Sequence, residues 1–145
     1  MNKVNEVIER FEQGFNCSQA IVAAYCEELG LDKNIGIKLA CPFGAGMGRL
    51  GETCGAVSGA YILIGLKYST YTADKTARNK TYEIVREFTR RFEERNKTVV
   101  CRKPTGVDFM SRDNNKAKVM EIRNTVCAKA LRDTVEIIED LLKLK

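Results

Sequence analysis

Eleven consecutive residues, Ala56 to Leu66, are apolar or small on nearly every side. A bilayer span needs roughly 20 such residues, so this stretch has to be hidden inside protein instead. Thr53 just ahead of it is a helix-capping residue type, and Ala56, Ala60, Leu63, Ile64 and Leu66 run through it without leaving a polar face. A helix that is apolar all round belongs at the centre of a bundle and needs neighbours on every side. Gly55 and Gly59 stand four apart, which would let one of those neighbours bring its backbone close.

The other segments read as the neighbours. Val4, Ile8 and Phe11 share one face of a helix over Asn2 to Glu12, with Glu6, Glu9 and Glu12 off it and Gly14 ending it. Asn16 caps a second helix carrying Cys17, Ala20, Ile21 and Ala24, which Gly30 stops. Asp32 caps a short helix to Ala40 that Gly36 weakens. Asp74 caps the longest helix, Lys75 to Asn96, whose inward stripe is Ala77, Thr81, Val85, Phe88 and Phe92. Glu87 and Arg91 form a supporting pair one turn apart on it. Val99 to Gly106 reads as loop, with Pro104 preventing continuation. The last helix spans Lys116 to Leu142, presents Val126, Cys127, Ala130, Ile137, Ile138 and Leu141, and is expected to break near Asn124. Thr98 to Val100 is too short for a strand, and neither a repeat nor a low-complexity linker interrupts the pattern. A chain of 145 residues can build one real core. The expectation is therefore an all-α fold over residues 1–145. It is one compact domain of five to seven helices, with a glycine-rich loop ahead of the central buried helix.

Two counts narrow the chemistry: six cysteines and no histidine. Without histidine there is no Cys-His nucleophile pair, no imidazole base and no mixed Cys/His metal site. The N-terminal residues alternate charged and apolar with no signal pattern, so a cytoplasmic location is expected, where permanent disulfides are rare. Reactive or metal-binding thiols are then favoured over a disulfide framework. The spacing Gly46-x-Gly48-x-x-Gly51 matches the dinucleotide fingerprint, yet no strand–helix–strand unit surrounds it, so no nucleotide is expected there. Lys75 to Lys118 holds 13 basic and six acidic residues. Mixed by sign along a long helix, these read as a solvated face, and no nucleic-acid partner or membrane insertion is expected.

The cysteines differ in setting. With Thr53 as the cap, Cys54 falls in the first helical turn, where unpaired N–H groups and the helix dipole favour a thiolate. Seven of the eleven glycines lie between Gly44 and Gly65, and they let the backbone curl and aim further N–H groups at that sulfur. Cys17 follows the cap Asn16 and gains from the same effect more weakly. Cys101 is flanked by Arg102 and Lys103. Cys127 lies on the apolar stripe of the last helix, where plain packing is the strongest competing explanation. Cys26 and Cys41 carry no comparable feature, although Cys41 stands beside Pro42 at the entrance to the glycine loop. No two cysteines are spaced Cys-x-x-Cys, so any site has to assemble from distant segments.

Phe15-Asn-Cys17-Ser-Gln-Ala20, the element Cys54-Gly-Ala-Val-Ser-Gly59, and then Cys101 and Cys127 closely resemble the C_GCAxxG_C_C family, which is described as redox-active. The resemblance covers nearly the whole chain. It implies that Cys17, Cys54, Cys101 and Cys127 form the functional set, that Gly55, Ala56 and Gly59 of the same motif line any bound cofactor, and that Cys26 and Cys41 lie outside the set. The Arg-Lys-Pro-Thr run after Cys101 is more polar than the family pattern. Family members encoded near transporter genes make a membrane transporter a candidate partner beside an unidentified redox partner, and a homo-oligomer is an open alternative. Two readings follow. In one, the four cysteines are a thiol oxidoreductase or electron-transfer centre, with Cys54 as nucleophile and another thiol resolving the mixed disulfide. In the other, the same four hold an iron–sulfur cluster or another thiolate-bound metal. A small transporter-associated helical adaptor is a third reading, which the glycine clustering around Cys54 argues against.

Overall fold

The computed structural model describes residues 3–111 and 114–144. Seven helices of seven residues or more carry the fold: α1 (Lys3–Glu12), α2 (Cys17–Tyr25), α3 (Lys33–Ala40), α4 (Gly55–Tyr68), α5 (Lys75–Asn96), α6 (Lys116–Ile122) and α7 (Ala128–Leu142). Asn2, expected to begin the first helix, and Arg112 and Asp113 within the basic stretch lie outside the described residues. Among the described residues there is no strand, only one antiparallel bridge between Thr53 and Val100. Nor, among the described residues, is any helix long and apolar enough to cross a membrane.

Side-chain caps start the helices as their sequences dictate. The Asn16 side chain accepts the Gln19 N–H at 2.9 Å while Gln19 accepts the Asn16 N–H at 3.1 Å, a reciprocal box that opens α2. Asp32 accepts from the Ile35 N–H ahead of α3, and Asp74 from the Ala77 N–H ahead of α5, each at 3.0 Å. Asn115 does the same for α6. The cap of α4 differs from expectation. Thr53 is held extended by its bridge to Val100, and Cys54 is itself the N-cap residue.

The central helix is α4, buried from Gly55 to Ala60 and again at Leu63 and Ile64. It packs against α2, α5 and α7. A Cβ at Gly59 would stand 3.1 Å from both the Ile21 Cβ and the Ser18 carbonyl, and one at Gly55 would stand 3.1 Å from the Cys17 Cβ. These two glycines therefore set how closely α2 and α4 approach. On α5 the stripe ends in fully buried Phe88 and Phe92, stacked at 6.0 Å, with Tyr61 of α4 edge-on to Phe88 at 6.1 Å. Glu87 and Arg91 pair at 2.8 Å as their spacing predicts. Asp133 of α7 ties α7 to α5, receiving Lys129 at 2.7 Å, Asn96 at 3.0 Å and Arg95 at 3.3 Å.

The break expected near Asn124 takes a specific form. Arg123–Cys127 is a π-helical turn, and the Ala128 N–H reaches back to the Arg123 carbonyl. The helix continues from α6 to α7, but the wider turn shifts the faces on either side of it. The segment expected as loop after Val99 also departs from expectation, because Arg102–Thr105 closes a helical turn that contains Pro104. Proline lacks only an N–H that a first turn would leave unpaired, so it fits there.

Candidate functional site

The glycine-rich segment folds into a left-handed turn. Ala45, Gly46, Met47, Gly48 and Arg49 have φ of 53°, 70°, 72°, 57° and 72° in succession. For an L residue that conformation costs roughly 1–2 kcal/mol, and three of the five carry side chains. The turn is held by N–H groups of Gly51 and Glu52 donating to the carbonyls of Ala45 and Gly46, at 3.3 and 2.9 Å. Gly46 has no room for anything larger, since a Cβ there would lie 2.8 Å from the Cys101 Cβ and 2.7 Å from the Glu52 nitrogen.

Directly after this turn, residues 51–54 run antiparallel to residues 99–102. The Cys54 N–H donates to the Val99 carbonyl at 2.7 Å, the Cys101 N–H to the Glu52 carbonyl at 2.6 Å, and the Arg102 N–H to the Gly51 carbonyl at 3.1 Å. This clip brings Cys101 beside the start of α4. Cys17, at the first position of α2, is already there because Gly55 packs against it. The π turn supplies Cys127. The side chains of Cys17, Cys54, Cys101 and Cys127 thus line one cavity of about 670 Å³ under the left-handed turn.

Within the cavity the four thiols are not equivalent. Cys17 and Cys127 are side by side, and their mutual interaction is the largest influence on each. It holds the Cys17 thiol well above its ordinary value, helped by burial and by the sulfurs of Cys54 and Cys101. It draws Cys127 down, against burial and with help from the Arg123 guanidinium. Burial pushes Cys54 up from 9.0 to about 11. The N–H groups of Ala56 and Val57 pull it the other way, without forming a capping hydrogen bond. Burial, reinforced by the sulfurs of Cys54 and Cys127, raises Cys101 to about 12. The sequence favours Cys54 as the thiolate because of its helix terminus; in the fold, desolvation outweighs the dipole there, and Cys127 is the thiol shifted downward.

Of the remaining expected residues, Gly55 lines the cavity, whereas Ala56 and Gly59 do not, Gly59 being filled by Ile21 and Ser18 of α2. Cys26 is fully buried elsewhere, near the place a Cβ on Gly36 would occupy. Cys41 is exposed and does line the cavity. Arg123 is a site residue that cysteine-centred reasoning passes over. Its signal was available, since it precedes Cys127 by four positions on a helical segment and so shares its face. Four thiols without histidine are the donor chemistry of an iron–sulfur cluster. Among the described residues, however, no three of Cys, Asp and Glu are placed to hold a metal ion.

A family model described as "Putative redox-active protein (C_GCAxxG_C_C)" matches residues 15–141. No curated protein and no solved structure matches the chain.

Proposed function

The chain belongs to the C_GCAxxG_C_C family, and from that premise we propose that it is a thiol–disulfide redox protein whose reacting pair is Cys127 and Cys17. The observation that carries this reading is the convergence of four sequence-distant thiols on one cavity with two of them paired and oppositely shifted. The thiol drawn downward supplies the nucleophile, and a neighbour that keeps its proton supplies the acid.

The Cys127 thiolate attacks one sulfur of a substrate disulfide. The substrate S–S bond breaks, a mixed disulfide forms, and the departing thiolate takes the proton held by Cys17. Cys17, now a thiolate, attacks the Cys127 sulfur, releasing the second substrate thiolate, which is protonated from solvent. Two protein thiols become one disulfide and one substrate disulfide becomes two thiols, so electrons and protons balance. Cys54 and Cys101 stay protonated on the same cavity and form a second dithiol that can take over the oxidation by exchange.

The test is to reduce the protein fully, add one equivalent of diamide, alkylate and map the products. A Cys17–Cys127 bond is expected, with Cys127 the fastest of the four to alkylate at pH 7 before oxidation. Four thiols that alkylate slowly and give no internal disulfide would sink the proposal, as would stoichiometric iron and sulfide in protein purified without oxygen.

A further inference from the structure

The cavity is lined by two arginines, Arg49 and Arg123, and, among the described residues, by no carboxylate and no lysine. Elsewhere on the chain Arg10, Arg90, Arg91, Arg95 and Arg102 are each paired with a carboxylate. Neither cavity arginine has such a partner among the described residues. Arg123 is anchored rather than satisfied. Its Nη2 donates to the Phe11 carbonyl at 2.9 Å and its guanidinium lies 3.8 Å from the Phe11 ring centroid. A guanidinium has five N–H donors in a planar fork suited to carboxylate, and this one is held rigidly at the cavity wall beside Cys127. Arg49 is exposed, with its backbone fixed in the left-handed turn, so its side chain starts from a defined point on the same wall.

Size limits the ligand as well. A volume of about 670 Å³ is that of a small-molecule pocket, and the reacting Cys127 and Cys17 are half-buried in it. A small free disulfide fits a recess of this size.

We infer that the cavity binds a small molecule bearing carboxylates, held by Arg123 and Arg49, so that the substrate of the thiol site is a small acidic disulfide. This rests on the redox reading above for the identity of the reacting group. The anion preference itself does not depend on turnover. A positive wall with no carboxylate facing it concentrates anions and repels cations, and added salt weakens both effects.

The experiment uses three unreactive six-carbon probes of matched length, adipate, 1,6-hexanediol and 1,6-hexanediamine, titrated into the reduced full chain by NMR. Adipate is expected to bind at least tenfold more tightly than the diol, with shifts at cavity residues and weakening as salt is added, and the diamine weakest of all. Arg123→Gln combined with Arg49→Gln should abolish the preference, while Arg123→Lys should keep part of it. If Arg123→Gln unfolds the chain, Arg49→Gln alone, at the exposed position, should still reduce adipate affinity severalfold. Equal binding of diamine and adipate, or a preference untouched by the arginine variants, overturns the inference. Turnover of dithiodiglycolate against cystamine then separates the two ideas. Selective adipate binding with no Cys17–Cys127 disulfide formation overturns the redox reading alone. Turnover of both disulfides at equal efficiency overturns the substrate class alone.

Discussion

The C-terminal end of α4 is held by ordinary packing: Tyr61 lies edge-on to Phe88, the Tyr68 hydroxyl donates to the Leu141 carbonyl at 3.3 Å, and Lys67 reaches the Leu142 carbonyl. The N-terminal end of the same helix has no side-chain cap hydrogen bond and starts under five consecutive left-handed residues with four thiols around it. One end is a satisfied core that anchors the helix. The other is a strained enclosure that the anchored helix makes affordable. The difference teaches that the glycines of the left-handed turn and the four cavity cysteines are not a stability device. They are concentrated where backbone must crowd around sulfur, and α2, α5 and α7 supply the rigidity that holds them there.

If that contrast is right, cysteines at the two kinds of position should respond in opposite ways. Cys127→Ser removes the thiol shifted downward in the cavity and should lower disulfide turnover on the order of 10³-fold or more, with little change in unfolding midpoint. Cys26→Ser puts a hydroxyl where a fully buried thiol packs. It should cost about 1–3 kcal/mol of stability and leave turnover alone. Steady-state rates and urea titrations on the two variants check both halves; if Cys26→Ser alone lost activity, the division would be wrong.

The enclosure can also be broken through its backbone. Gly46→Ala has to accept φ of 70° and a Cβ within 2.8 Å of Cys101. Strain and overpacking together should destabilise the chain by roughly 2–4 kcal/mol, and alkylation of Cys101 should speed up as the turn opens. A variant as stable as the parent would mean that the left-handed turn is not what seals the cavity.

The same two ends differ in what the sequence made legible. Asn16, Asp32 and Asp74 cap through contacts only three residues long, and such local chemistry is readable without a fold. So is the apolar stripe of α5. The cavity end depends on pairings across nearly fifty residues, such as Cys101 with Glu52, and no local pattern encodes a clip of three hydrogen bonds that is not a strand. Thr53 looked like a cap because its type suits one; the bridge to Val100 holds it extended and moves the cap to Cys54. The four cysteines were identifiable as a set, from their local settings and from the family pattern. Their rank within it was not, because a helix terminus is visible in sequence and burial is not. Hence local setting ranked Cys54 first and Cys127 last, whereas in the fold burial raises Cys54 and the neighbours of Cys127 draw it down.

Protonation offers a gentler probe of the enclosure. Cys54 and Cys101 are raised in the fold to about 11 and about 12 from an ordinary 9.0, so the folded state keeps protons that the unfolded chain releases. Their contribution is fully present below pH 9 and is lost as pH rises toward the folded values. Between pH 8 and 10, stability in reducing buffer should therefore fall, by at most about 1.4 kcal/mol per pH unit per thiol above pH 9. Urea midpoints at the two pH values measure it. Cys54→Ala should flatten the slope, and a chain that gains stability over this range would contradict the burial of these thiols.

The smallest effect belongs to the ordinary end of α4. Gly65 lies in the same helix as Gly55 and Gly59, yet a Cβ added there meets nothing within 4 Å and its φ is not left-handed. Its glycine therefore serves neither close packing nor a turn. Gly65→Ala should remove only the entropy penalty of a helical glycine and stabilise the chain by about 0.5–1 kcal/mol, with the alkylation rate of Cys127 unchanged. Gly55→Ala, two turns and more away toward the thiols, should do the opposite on both counts, because its Cβ would stand 3.1 Å from that of Cys17. If both substitutions moved stability and thiol reactivity together, α4 would be one uniform helix, and its two ends would not be doing different jobs.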